Sequence, residues 1–266
     1  MLRKHDNRDE IFQQYYDRIT AHDGRGLMIL IGKHKRFPDY LHNGTNVIGE
    51  LAREGNDAAI DWLRNEFCND YQMDLDFSYA AFHYARRGAE ERFEPLYVLS
   101  RECRGEVVRG LALGGHHELV EEYLDPSNES DTINVLIGYA AANNDVKLRR
   151  WLGVNNNERA VYRGHAFAGR YEAVDLYLQE QGLNRIGRWW YMHEYARGGW
   201  LEPIEMELFC HGNKEHLHDD EFNVASVLIR NGYVKNAERH KTYHYSENSY
   251  VSQYAAAGHL DVANLR

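Results

Sequence analysis

The sequence predicts an all-α fold, an α-solenoid of stacked antiparallel helix pairs, and three observations predict it. A residue type that ends helices recurs every 26 to 33 residues, at Gly55, Gly88, Gly115, Asn143, Gly169, Gly199, Gly232 and Gly258. A fixed set of apolar offsets precedes each of these anchors. A second set follows each of them. Both sets have the spacing of one face of an α-helix, and repetition at a fixed period is the signature of a repeat architecture.

The chain opens on an imperfect version of this pattern. Residues 9–20 read as a helix with Ile11, Phe12, Tyr15, Tyr16 and Ile19 on one face. Gly32 has Met28 and Ile29 before it and Phe37, Tyr40 and Leu41 after it, but lacks the earlier apolar pair. Residues 1–46 are therefore expected to form an N-terminal helical cap with a degenerate repeat, since a terminal repeat turns one side to water. Residues 47–266 are expected to form an array of about eight units.

Within that array the first helix of each unit is the most regular element. Three residues before the anchor stand Ala52, Ala85, Ala112, Ala140, Ala166, Ala196, Ile229 and Ala255; seven of the eight are alanine, whose small side chain lets a neighbouring helix approach closely. One residue earlier come Leu51, Tyr84, Leu111, Tyr139, His165, Tyr195, Leu228 and Tyr254. Apolar or aromatic pairs sit seven and eight residues before each anchor, from Val47-Ile48 to Tyr250-Val251. The anchor itself is the residue type that closes a helix in the left-handed conformation. The second helix begins just beyond it, often through an acidic residue such as Glu118, Glu172 or Glu202, which suits a helix N-terminus. Its inner face is marked five residues after the anchor by Ile60, Phe93, Val120, Leu148, Val174, Ile204, Ala237 and Ala263.

The segments LALGGHHELVEEYL (Leu111 to Leu124) and YAAAGHLDVANL (Tyr254 to Leu265) resemble the A-A-x-x-G-H-x-x-V-V-x-x-L-L core of the ankyrin repeat. The resemblance runs from Val47 to Arg266. The T-P-L-H helix opening and the G-A-D-V-N finger of that family are absent, and the repeat length is irregular. Plain helical hairpins without clear β-hairpin fingers are expected in consequence. The resemblance implies a non-enzymatic protein–protein interaction module that binds another protein and scaffolds or inhibits it. Divergent arrays of this kind occur in intracellular bacteria and large viruses, which implies a host-directed factor as one setting.

Composition narrows the function further. The chain has 266 residues, 43% of them hydrophobic, and a formal net charge of −10, which argues against nucleic acid as a partner. No run of about 18 apolar residues is present, so no membrane partner is expected. The opening MLRKHDNRDE lacks the apolar core of a signal peptide, and Cys68, Cys103 and Cys210 are too few and too scattered for a disulfide framework. A cytoplasmic location is the expectation, including delivery into a host cytosol without such a peptide. The nucleotide-binding, zinc-protease and serine-hydrolase motifs are missing. No catalytic residue, cofactor or metal is expected.

The candidate contact residues follow from the repeat. Arginine recurs two residues before the anchor at Arg53, Arg86, Arg197 and Arg230, and one turn earlier at Arg109 and Arg163. In a stacked array equal offsets align, so these would form a basic ladder able to grip an acidic or phosphorylated protein. Basic residues also favour the last turn of any helix, which explains part of the pattern without a partner. RWWYMHEYARGGW adds Trp189, Trp190, His193 and Trp200, residue types that dominate binding hot spots. The expected contact set is Arg86, Arg109, Arg163, His193, Arg197 and Trp200, against a partner with an acidic surface. The rival reading is an enzyme or metal protein with a site assembled across repeats from His83, His165 and His193. Its metal version would use CHGNKEHLHDDE at residues 210–221, whose spacing matches no familiar zinc signature.

Overall fold

A computed structural model describes residues 10–34, 41–42, 44–155, 157–181, 185–204, 224–233 and 236–237. Helices account for the regular structure of these residues: α1 Glu10–Thr20, α2 Gly24–His34, α3 Val47–Glu54, α4 Asp57–Trp62, α5 Cys68–Tyr71, α6 Ser78–Arg86, α7 Glu90–Tyr97 and α8 Arg101–Gly114. They continue with α9 His117–Tyr123, α10 Glu129–Ala141, α11 Asp145–Asn155, α12 Glu158–Phe167, α13 Tyr171–Glu180, α14 Arg185–Gly198 and α15 Val224–Arg230. A π-helical turn, Leu63–Phe67, joins α4 to α5. The pairing of His42 with Thr45 is an isolated bridge rather than a strand. No helix among the described residues is long and apolar enough to cross a membrane.

The seven anchors within the described residues end their helices in one way. Each is left-handed, with φ of 80° at Gly55, 70° at Gly88, 80° at Gly115, 60° at Asn143, 76° at Gly169, 78° at Gly199 and 77° at Gly232. Each anchor N–H donates to the carbonyl three residues back, and the next N–H donates five residues back, as in Asn144 to Tyr139 at 3.0 Å and Trp200 to Tyr195 at 2.8 Å. These paired bonds satisfy carbonyls that a helix end otherwise leaves open. Asn143 reaches the same geometry because its short polar side chain tolerates the left-handed region.

Packing explains the recurring alanine. Each of Ala52, Ala85, Ala112, Ala140, Ala166 and Ala196 is fully buried. The helix of the following unit presses a glycine against it at three of these positions. A Cβ placed on Gly138 would lie 2.5 Å from the Arg109 carbonyl oxygen and 2.7 Å from the Ala112 Cβ; Gly110 meets Phe82 and Ala85 in the same way, and Gly164 meets Ile137 and Ala140. Helices α3, α6, α8, α10, α12, α14 and α15 accordingly pack each against the next in chain order. The intervening α4, α7, α9, α11 and α13 pack on the helix that precedes them, and the positions five residues past the anchors, from Ile60 to Ala237, are all buried. At the N-terminal end α1 packs against α2 and α3.

The row of helices does not run straight. Phe82 of α6 meets Phe167 of α12 edge to face at 6.0 Å, and Arg109 of α8 bonds Glu194 of α14. The segment before α3 touches the far end: Gly44 N–H donates to the Asn231 carbonyl at 2.8 Å, and Gly232 packs on the Leu41 carbonyl. Two apolar clusters result among the described residues, one running from Phe12 to Val161 and one from Ala166 to Ala237.

Candidate functional site

Polar side chains from α8 and from the neighbouring pair α12 and α14 converge inside this curl. Glu194 of α14 receives Arg109 Nη2 from α8 on one oxygen at 2.6 Å. Its other oxygen receives Arg163 of α12 through Nη2 at 2.6 Å and Nε at 3.1 Å. Arg197, one turn further along α14, pairs with Glu106 of α8 at 2.8 Å and lies over the Tyr79 ring at 5.8 Å. Phe167 covers the face of the Arg109 guanidinium at 4.5 Å. Arg109 and Glu194 are each only 1% exposed.

Electrostatics keep the network ionised. Burial by itself would raise the Glu194 carboxyl, but Arg109, Arg163 and Arg197 together outweigh it and hold the group at about 2. Burial likewise works against the Arg197 cation, yet Glu106, Tyr79 and Glu194 hold it above the ordinary arginine value. Arg109 shifts the other way, pushed down by burial. Removing one member of such a buried pair strands the other charge, at a cost of about 3–5 kcal/mol.

The sequence-predicted residues divide between this interior and the outer edge. Arg109, Arg163 and Arg197 are brought together, and each turns toward a carboxylate of its own chain rather than outward in a solvent-facing ladder. The physical reason is the curl, which closes the inner side on itself. Arg53 pairs with Glu50 on α3, whereas Arg86 is exposed. His193 lies against Asn231 at 2.9 Å, and burial with Arg230 nearby depresses it to about 4. His83 is depressed to about 3 by burial and by Arg86 and Arg53, and His165 is lowered by burial and by Arg170. These three histidines stand on α6, α12 and α14, and no group of three or more metal-binding side chains converges among the described residues. The side chains of Trp189 and Trp190, residues 210–221, residues 240–250 and the closing segment from Val251 lie outside the described residues.

Trp200 belongs to a second recurring device. At four of the seven described anchors the residue that follows reaches back to the end of the preceding first helix. Trp200 Nε1–H donates to the Phe167 carbonyl at 3.1 Å, Arg170 to Ala140 at 2.8 Å, and the Tyr233 hydroxyl to Ala196 at 2.8 Å. His116 Nε2 stands 3.2 Å from the Arg86 carbonyl. The C-terminal ends of the first helices therefore share one edge, where Arg86 is exposed and Trp200 is 44% exposed; Val146, in the first turn of α11, is 80% exposed.

Glu194 and Glu106 escaped the sequence reading. The one available signal was positional: Glu194 stands five residues before its anchor, where α8, α10 and α12 carry Gly110, Gly138 and Gly164. No family model, curated protein or solved structure matches the chain. Its geometry defines an all-helical protein whose stacked helices close around an arginine–glutamate network.

Proposed function

We propose that the chain is an α-solenoid of helix pairs, divergent and ankyrin-like, curled until distant units meet, with residues 1–46 as its cap. On this reading it is a non-enzymatic interaction module that binds and regulates another protein. The observation that carries it is the shared edge at the ends of the first helices. There Arg86 and Trp200, with Val146 in the first turn of α11, combine exposed cationic, aromatic and apolar surface on a rigidly capped framework. Aromatic and arginine side chains supply most binding hot spots, and rigid presentation lowers the entropy cost of association. An acidic protein surface is the complementary partner. The interior arginines act as framework in this reading, and the edge carries recognition.

The test uses Arg86→Glu together with Val146→Asp in the full chain, two exposed positions whose change leaves the core untouched. Capture from the native cytosol, quantified by mass spectrometry, should show the principal bound protein reduced at least tenfold relative to the unmodified chain. Equal recovery by a variant with an unchanged circular dichroism spectrum would remove the edge from the binding surface.

A further inference from the structure

The network between α8, α12 and α14 leaves buried donors unused. Among the described residues, Arg109 and Arg163 pair with Glu194, and Arg197 pairs with Glu106. Both Glu194 oxygens are already engaged, and Glu106 is turned to Arg197. Arg109 uses only Nη2; its Nε and Nη1 are buried with no acceptor among the described residues. Phe167 occupies the face of this guanidinium, so what remains is its in-plane edge, the part that donates to oxyanions.

We propose that this interior is a binding site for one small free oxyanion, a carboxylate or a phosphate, held by the unused N–H groups of Arg109 and flanked by Arg163 and Arg197. An anion supplies acceptors to the two unused N–H groups and a counter-charge to a guanidinium that burial disfavours, whereas a neutral water supplies only the acceptors. Access fits a free ion rather than a group carried on a macromolecule. The side chains of Arg163, Arg197 and Glu106 are 26%, 23% and 15% exposed, so solvent reaches the flank of the site, while Arg109 at 1% lies beyond the reach of a peptide. The site is separate from the outer edge and does not rest on the identity of the partner.

The probes are inorganic phosphate and acetate, titrated into the full chain at constant ionic strength set with sodium chloride. Arginine side-chain Nε–H resonances are followed by NMR, with Arg109 assigned by the signal lost in Arg109→Lys. The Arg109 resonance should shift saturably with phosphate, acetate or both, while that of the exposed Arg150 does not saturate. Whichever anion saturates identifies the ligand chemistry. Glu106→Gln removes one carboxylate charge without touching Arg109 and should tighten binding at least threefold; it also serves if Arg109→Lys fails to fold. A resonance that answers to neither anion, shifts that run parallel at Arg109 and Arg150, or affinity unchanged in Glu106→Gln would each overturn the proposal.

Discussion

Glu194→Gln tests the curl at the residue that joins its two sides. The substitution keeps the size of the side chain but removes the charge that faces Arg109, Arg163 and Arg197. Two routes give the same magnitude. Breaking a buried ion pair from one side costs about 3–5 kcal/mol. A carboxyl carried from 4.5 down to about 2 holds its charged form by about 3 kcal/mol. The expected loss is therefore about 3 kcal/mol, seen as a lower urea midpoint by circular dichroism and a fall in Tm of roughly 6–12 °C. The decisive measurement is a double-mutant cycle with Arg109→Met. Helices α8 and α14 are far apart in sequence, so coupling above about 1.5 kcal/mol requires that they meet in space. Additive losses, or a single-variant loss below about 1 kcal/mol, would refute the convergence of the three helices on Glu194.

Acid should weaken the fold in two stages, with a sign fixed by depressed pKa values. His83 and His193 are held near 3 and 4, so they are neutral when folded and take up protons on unfolding; their contribution is complete above 6.5 and declines as pH falls toward 4. The contribution of Glu194 is complete above 4.5 and disappears as pH falls through about 2. Urea midpoints from pH 7 to 4 should decrease steadily, with His193→Gln flattening that slope; a flat wild-type profile would contradict the burial of these rings. Gly138→Ala should destabilise by about 1–3 kcal/mol although alanine is the better helix former, because its methyl meets the Arg109 backbone at 2.5 Å. Equal or greater stability of that variant in thermal unfolding would mean the helices stand further apart.

The all-helical character was legible because each unit repeats a local rule. Gly55, Gly88, Gly115, Asn143, Gly169, Gly199 and Gly232 announce left-handed closures, and closure depends on a few bonds within the same turn. The apolar offsets on either side announce buried faces for the same reason, since a helix of 3.6 residues per turn places them on one stripe. The alanines announced close packing. Their partners Gly110, Gly138 and Gly164 went unread because the contact lies between units, where sequence spacing gives no distance.

Placement of charge was decided only by the tertiary structure. Arg86, Arg109, Arg163 and Arg197 read alike in sequence, as cations near the last turn of a helix. Three of them close on Glu194 and Glu106 once the row of helices bends, and Arg86 stays at the surface. Trp200 shows the same division, for its residue type announced a contact and the fold supplied the Phe167 carbonyl. Local periodicity determines which face of a helix is buried. Curvature accumulates from small rotations between units and determines which faces meet, so a pair separated like Arg109 and Glu194 exists only after the whole row has packed.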